Sequence, residues 1–216
     1  MPSVGFQRAR STEAKQQREN AILAAAARLG AERGIRQITL TDLAAAVRMH
    51  KSALLRYFET REQIFLRLTA TGWQDWSCAL QANTRKLEPD CPAATVAAAF
   101  ADTLTARPLF CDLLAQAPLN LERNVSPEQV RAFKLVTHSE VNAIIAELRR
   151  LRPRLSDVEA VDVIATATSM AGALWQMATP APEVLELYHS DPELSLAIFD
   201  VAARLTRILT ALIDGY

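Results

Sequence analysis

Side chains that can donate hydrogen bonds to phosphate oxygens and base edges are concentrated between residues 48 and 61 of this chain. The outward-facing members of the set are Arg48, His50, Lys51, Ser52, Arg56, Tyr57 and Arg61. The set contains no carboxylate, whereas a solvated helix face usually mixes charges of both signs. The chemistry that this set indicates is therefore binding to a polyanion such as nucleic acid.

Two short helices joined by a tight turn are predicted to carry this set. Thr39 can cap a first helix over about 40–47, and a second helix is predicted over about 51–58. Thr60 then begins a third helix with capping-box spacing. The apolar residues expected to hold the helices together are Leu43, Ala44, Val47, Leu54 and Phe58. The pattern over residues 39–58 is typical of a helix-turn-helix that reads DNA.

The charge of the chain is divided unevenly between its two parts. Residues 1–67 contain 12 Lys and Arg against 6 Asp and Glu, a net charge of +6. Residues 68–216 contain 12 against 18, a net charge of −6, so the whole chain is neutral. This asymmetry indicates a polyanion-binding part attached to an acidic part.

The composition favours an all-helical protein, since half of the residues are apolar and only 6 are glycine. No apolar run approaches the roughly 20 residues that span a bilayer. The polar, basic N-terminus lacks the apolar core of a signal peptide, so we expect a cytoplasmic protein without membrane association. Cys78, Cys91 and Cys111 show no metal-ligand spacing. We expect three partly buried thiols and no metal or cofactor, with redox sensing as the minor alternative.

Helical periodicity, caps and prolines divide the rest of the chain. The predicted helices cover about 12–33, 60–86, 93–106, 108–116, 127–151, 156–178 and 192–214, and residues 179–190 are expected to form a loop. We therefore predict an all-α fold with two domains. Residues 1–59 form a three-helix DNA-binding domain, here called the head, and residues 60–216 form a larger helical domain for effector binding and dimerisation, here called the body.

The last two long helices carry more apolar surface than one partner can cover. Leu194, Ile198 and Val201 begin a stripe along the predicted helix 192–214, and Phe199 and Ala202 begin a second stripe beside it. The helix 156–178 is rich in small residues, which allow helices to approach closely. We predict a homodimer through about 156–178 and 192–214, as in a shared four-helix bundle. The alternative is that both stripes are interior to a monomer.

A run of residues in the head carries a family resemblance. It extends from Ala21-Ile22-Leu23 through Ala26 and Gly34 to Thr39-Leu40-Thr41-Asp42-Leu43-Ala44, and then to Tyr57-Phe58-Glu59-Thr60-Arg61-Glu62-Gln63-Ile64. On these residues the first 67 positions resemble the DNA-binding domain of the TetR family of one-component transcriptional regulators. The resemblance implies a compact three-helix head followed by a divergent helical body.

Two positions depart from the family pattern. Arg48 stands where the turn usually has glycine, so this residue either adopts a strained left-handed conformation or the turn takes another form. Leu55 stands where the recognition helix commonly has a tyrosine, which leaves Tyr57 and Arg61 as the expected phosphate anchors.

The resemblance assigns a role to each donor in the head. Thr39 and Thr41 are expected to face phosphate at a helix N-terminus. Lys51 and Ser52 begin the recognition helix and are expected at base edges or nearby phosphates, and Arg56 at guanine or the backbone. Arg48 and His50, in the turn, complete the expected set of DNA contacts. The alternatives are a solvated turn residue for His50 and a place partly in the core for Tyr57.

Aromatic and polar residues of the body are predicted to line an effector pocket for a small hydrophobic or aromatic compound. The predicted lining is Trp73, Trp76, Phe100, Phe110, Asp112, Gln116, Phe133, His138, Asn142 and Trp175. The polar members are included because buried polar groups need a partner. Ordinary core packing is the alternative for each aromatic residue.

The predicted function is a homodimeric repressor that leaves a palindromic operator when an effector binds. The effector would change the tilt of the helix 60–86 and so the separation of the two recognition helices. Two rivals from other classes remain open. One is an enzyme: the sequence has no catalytic motif, but His138 could be a catalytic residue in a closed pocket. The other is a helical adaptor that binds protein and not DNA.

Overall fold

The computed structural model describes residues 4–216 of the chain, with side chains from Glu13 onward. We expected a cytoplasmic protein from the polar N-terminal segment, most of which precedes the first described side chain, Glu13. In the head, α1 spans Val4–Arg33, a 3-10 turn spans Ile35–Gln37, α2 spans Leu40–Ala46 and α3 spans Lys51–Leu54. The first helix thus begins earlier than the predicted residue 12.

Gly34 ends α1 and sends the chain into the 3-10 turn. Its backbone angles are φ 77° and ψ 142°, in a region that glycine enters freely and other residues rarely adopt. Its N–H still donates to the Gly30 carbonyl at 2.8 Å. The abrupt change of direction places the next residue, Ile35, in the core.

The body contains seven further α-helices among the described residues. They are α4 (Arg61–Thr84), α5 (Ala93–Thr105), α6 (Pro108–Gln116), α7 (Pro127–Leu151), α8 (Asp157–Ala178), α9 (Pro182–Ser190) and α10 (Val201–Gly215). A π-helix, Ala117–Leu121, and a 3-10 turn, Glu122–Asn124, lie between α6 and α7. From α4 to α8 the observed limits lie within two residues of the predicted ones. The side chains of Thr60, Ser126 and Ser156 cap α4, α7 and α8 by accepting hydrogen bonds from backbone N–H groups.

The predictions for residues 179–214 were wrong in two respects. The expected loop contains a helix, α9, which Pro182 opens at its first turn, where a proline costs no hydrogen bond. The expected single helix 192–214 is divided into a 3-10 turn, Pro192–Ala197, and α10. Extended backbone at Ile198 separates them, and Asp200 caps α10 by accepting from the Ala203 N–H at 2.6 Å.

The core is built around α4, which packs against α5, α6 and α7 in the body and against α1 in the head. α10 lies across α5 and α8, against which it buries Val201, Leu205, Leu209 and Ile213. The all-α fold is confirmed, with helices in both domains and no strand among the described residues. No helix in this part of the chain is long and apolar enough to cross a membrane.

Candidate nucleic-acid interface and its contacts with the body

The start of α2 is held by a complete capping box. The Asp42 carboxylate accepts hydrogen bonds from the Thr39 N–H at 2.8 Å and the Thr39 hydroxyl at 2.6 Å, and the Thr39 oxygen caps the Asp42 N–H. These hydrogen bonds, with the nearby charge of Arg33, lower the pKa of Asp42 below its ordinary value. Thr39 and Thr41 are both exposed at this helix start. Thr39 and Thr41 therefore lie at the N-terminus of α2, where backbone N–H groups favour a negatively charged group.

Arg48 adopts the left-handed conformation, with φ 53°. The turn is closed by hydrogen bonds from the Arg48 N–H to the Ala45 carbonyl, 3.1 Å, and from the Met49 N–H to the Ala44 carbonyl, 2.9 Å. For a residue with a side chain this conformation costs roughly 1 to 2 kcal/mol. The turn thus keeps the glycine-type geometry without glycine, and the Arg48 side chain is exposed.

His50 caps α3. Its Nδ1 lies 2.8 Å from the Ser52 hydroxyl and 3.4 Å from the Ser52 N–H, which orients both side chains at the helix start. Lys51, Ser52 and Arg56 are exposed, and neither cation forms an ion pair with a described side chain. Their donors are therefore available to a ligand on this face.

The recognition helix is shorter than the predicted 51–58. Regular α-helix ends at Leu54, and the chain then tightens, with the Tyr57 N–H donating to the Leu54 carbonyl at 2.9 Å. Tyr57 is half-buried against the core, which limits how far its hydroxyl can serve DNA. Phe58 and Leu54 are buried, as predicted.

Arg61 is not available for the predicted phosphate contact. Its guanidinium donates to the backbone carbonyls of Ile35 and Ile38, pairs with Glu62 at 2.9 Å and lies 4.7 Å from the centre of the Phe65 ring. Its side chain is only 15% exposed. Arg61 therefore attaches the start of α4 to the segment between α1 and α2.

Two carboxylates make further hydrogen bonds between head and body. The Asp112 carboxylate, in α6, accepts from the Ile35 N–H at 2.8 Å through one oxygen and from the Gln176 side chain at 2.9 Å through the other. The Glu59 carboxylate, in the head, accepts from the Ser126 N–H at 2.8 Å at the start of α7. Together with Arg61, these contacts fix the head at three points. Sequence reasoning selected Asp112 as a buried polar group but missed Glu59, whose partner is 67 residues away.

The predicted effector pocket does not form as one cavity. Trp73, Trp76, Phe100 and Phe110 are all more than nine-tenths buried and pack edge to face, with ring centres 5.5 to 5.9 Å apart. The Trp76 N–H donates to the Thr103 hydroxyl at 3.0 Å, which satisfies the buried indole. These four residues are core, which was the alternative for each of them.

The remaining predicted pocket residues lie in different places. His138 and Asn142 are exposed on α7, and Gln116 is half-buried at the end of α6. Their placement in one enclosed pocket was wrong, because α7 turns His138 and Asn142 toward solvent and Gln116 lies on a different helix, α6. Phe133 lines a groove of about 350 Å³ between α4 and α7, which also includes Gln63 and Gln129.

Asp112 and Trp175 lie in a larger groove where head and body meet, here called the seam groove. Its volume is about 770 Å³, and its walls include Arg33, Arg36, Leu109, Asp112, Trp175 and Pro182. That volume falls within the usual range for small-molecule sites. Among the described residues, no group of three His, Cys, Asp or Glu side chains could hold a metal ion.

The head has two capped helices joined by a tight turn and carries exposed cations, and a larger helical body follows it. This arrangement defines a two-domain helix-turn-helix protein. The family model for bacterial regulatory proteins of the tetR family matches residues 22–68. The model for the tetracyclin repressor-like C-terminal domain matches residues 70–216. The chain belongs to the TetR family. Its members are DNA-binding transcriptional regulators, so family membership decides against the enzyme and the adaptor.

Solved structures share this fold at low sequence identity. The TetR family regulator PfmR of Thermus thermophilus is 16% identical, with a TM-score of 0.56 over 89% of this chain and 97% of that one. FadR of Bacillus subtilis, solved with stearoyl-CoA, is 14% identical, with a TM-score of 0.58 over 91% and 98%. FadR of Thermus thermophilus, solved with lauroyl-CoA, is 18% identical, with a TM-score of 0.56 over 91% and 94%. No curated protein matches the chain.

Proposed function

We propose that this protein is a homodimeric repressor that binds a palindromic operator and is released from it by a small effector with a hydrophobic or aromatic part. The observation that carries the proposal is the exposed set of donors on the turn and α3, attached through α4 and three polar contacts to a body with ligand-sized grooves. We keep the predicted division into residues 1–59 and 60–216, because α4 begins at Arg61.

The DNA contacts that we propose are a subset of the predicted ones. Lys51, Ser52 and Arg56 lie exposed on or just after α3, where base edges are read. Thr41 and Arg48 are also exposed, and we propose that they meet phosphates. Thr39 donates both its N–H and its hydroxyl to Asp42, so we assign it a supporting contribution. His50 orients Ser52, and Tyr57 is half-buried, so we assign both a supporting contribution.

The proposed dimer surface is supported by where apolar side chains remain exposed. Of the twelve large apolar residues exposed among the described ones, nine follow residue 156: Val158, Val161, Met177, Val184, Leu185, Leu187, Leu196, Ile198 and Tyr216. No residue of α9 is buried. Exposed apolar residues concentrated in one part of a chain indicate an interaction site. A second copy, related by a twofold axis, would cover α8, α9 and α10. The dimer would then place its two α3 helices in successive major grooves about 34 Å apart.

The effector class is supported by the grooves and by similar structures. The two grooves adjoin the contacts of Asp112 and Glu59, so an occupant of either groove would lie beside a head-to-body hydrogen bond. Structural relatives solved with stearoyl-CoA and lauroyl-CoA carry ligands with long apolar chains. An effector with a substantial apolar part suits the same fold here.

Substitutions on α3 test the DNA interface. With an operator isolated by selection, Lys51→Ala or Arg56→Ala is expected to weaken binding by about 1 to 3 kcal/mol if the side chain reads a base. Arg85→Ala is the matched control, because Arg85 is exposed at the far end of α4. Wild-type affinity in both α3 variants would contradict the proposed interface.

A charge placed in the apolar surface tests the dimer. Met177→Glu is expected to reduce the mass measured by sedimentation to that of one chain. Leu135→Glu is the control, since Leu135 is an exposed apolar residue of α7, outside the proposed interface. A wild-type protein that sediments as one chain would contradict the homodimer.

A further inference from the structure

The seam groove is lined by residues of opposite character from the two domains. The head contributes the guanidinium groups of Arg33 and Arg36. The body contributes the half-buried indole of Trp175 together with Leu109 and Pro182. The groove thus combines two cations from the head with an apolar patch from the body, beside the polar residues Asp112, Gln176 and Thr179.

Both guanidinium groups can reach a new partner. Arg36 is exposed and forms no ion pair with any described side chain. Arg33 lies 3.7 Å from a carboxylate oxygen of Asp42, but its side chain is 48% exposed, and exposed pairs of this kind contribute little. Planar guanidinium groups bind carboxylate, sulfonate or phosphate oxygens in a forked geometry.

The carboxylate in the groove forms no ion pair with either arginine. Both oxygens of Asp112 already accept hydrogen bonds, one from the Ile35 N–H and the other from Gln176. The three charged side chains of the lining therefore leave a net positive charge of one. That charge, next to an apolar wall, selects an anion with an apolar part.

We propose that the seam groove binds an amphiphilic anion whose charged group pairs with Arg33 and Arg36 and whose apolar part lies against Trp175, Leu109 and Pro182. Such a ligand touches head and body at once, beside the hydrogen bond between Asp112 and Ile35. It therefore favours one orientation of the head, and through it one position of α3. This regulatory consequence rests on the proposed function, whereas the binding itself does not.

The direct test uses the fluorescent anion 8-anilinonaphthalene-1-sulfonate and the full chain. We expect the double variant Arg33→Gln, Arg36→Gln to bind this dye at least about tenfold more weakly, since it loses charge-assisted hydrogen bonds. Arg28→Gln is the control, because Arg28 lies on α1, as Arg33 does, pairs with Glu32 and is outside the groove. Equal affinity in the wild type and the double variant would overturn the proposal.

Two further measurements locate the dye and test its charge. Trp175→Ala is expected to weaken binding of the dye, because it removes the indole from the apolar patch of the groove. The uncharged analogue N-phenyl-1-naphthylamine is expected to bind the wild type and the double arginine variant alike. A neutral dye that binds the wild type as tightly as the anion would overturn the charge selection.

Operator binding measured with and without the dye distinguishes this proposal from the proposed function. Saturating dye is expected to change the affinity of the wild type for its selected operator, and to leave that of the double variant unchanged. If the dye binds the groove but operator affinity does not move, the regulatory inference is wrong while DNA recognition stands. If no operator can be selected at all, the proposed function is wrong, and the dye titrations still decide whether the groove binds anions.

Discussion

Replacing Asp112 with alanine removes the buried hydrogen bond between α6 and the head. The Ile35 N–H lies 2.8 Å from the carboxylate, and both residues are buried, with Ile35 1% and Asp112 8% exposed. Leaving a buried donor without its charged partner costs about 1.5 to 3 kcal/mol. The bond to Gln176 adds little, because that side chain is half-buried beside the groove and can be hydrated.

The most direct assay is hydrogen exchange at the Ile35 amide. A local loss of about 1.5 kcal/mol corresponds to an exchange rate raised by roughly tenfold, and the urea midpoint of unfolding should fall with it. Asp112→Asn is the informative comparison. Its amide keeps an acceptor for Ile35 and can donate to the Gln176 carbonyl if the Gln176 side chain rotates, so most of the protection should return.

Asp102→Ala is the control for removing a carboxylate, since Asp102 is exposed on α5 and its side chain makes no hydrogen bond to a described group. An Ile35 amide that exchanges equally slowly in the wild type and in Asp112→Ala would show that this hydrogen bond does not hold the head. An asparagine variant as destabilised as the alanine variant would show that the carboxylate charge, and not the acceptor, is responsible.

Three other outcomes follow from the packing and the titrating groups. A Cβ at Gly72 would lie 2.3 Å from the Phe110 ring. Gly72→Ala should therefore lower the free energy of unfolding, measured by urea titration, by about 1 to 3 kcal/mol. Unchanged stability would mean that α4 and α6 are less closely packed than this. Burial, with the charge of Asp112, raises the pKa of Cys111 to about 12. Iodoacetamide in mild base should therefore label the exposed Cys78 and reach Cys111 only after unfolding. Labelling of Cys111 in the folded protein would contradict its burial. Hydrogen bonds from Arg150 lower the pKa of Glu147, so its stabilising effect is complete at neutral pH and is lost as the pH falls through the lowered pKa. Glu147→Gln should therefore be less stable than the wild type at neutral pH, with the difference shrinking in acid, and a difference independent of pH would contradict this linkage.

The helix-turn-helix could be predicted because its determinants are local. The caps at Thr39 and Thr60 and the apolar spacing of Leu43 and Leu54 act within one or two turns of helix, and the structure forms each of them. The left-handed conformation of Arg48 is one of the two forms that the family resemblance left open for this turn. The short α3 did not, because the tightening after Leu54 depends on how Tyr57 and Phe58 pack against the rest of the head.

The body illustrates what periodicity does not determine. An aromatic residue at a helical spacing is placed inward, but whether Trp73 and Trp76 surround a cavity or fill it depends on neighbours such as Phe110, which occupies the space above Gly72. The contact between Glu59 and Ser126 joins residues 67 apart and carries no local signal. Likewise Arg61 was predicted to bind phosphate because Leu55 replaces the tyrosine common in the family, while the fold turns Arg61 toward the carbonyls of Ile35 and Ile38.

Selection of bound DNA from a random pool is the decisive experiment for a dimeric operator-binding regulator. We predict enrichment of a twofold-symmetric sequence whose half-sites are one helical turn apart, or a multiple of it, since two α3 helices would read successive major grooves. We also predict that affinity for the winning sequence falls steeply as salt rises, because phosphate contacts release counterions. Absence of any enriched sequence, or an asymmetric winner bound by a single chain, would contradict a dimeric regulator of this kind.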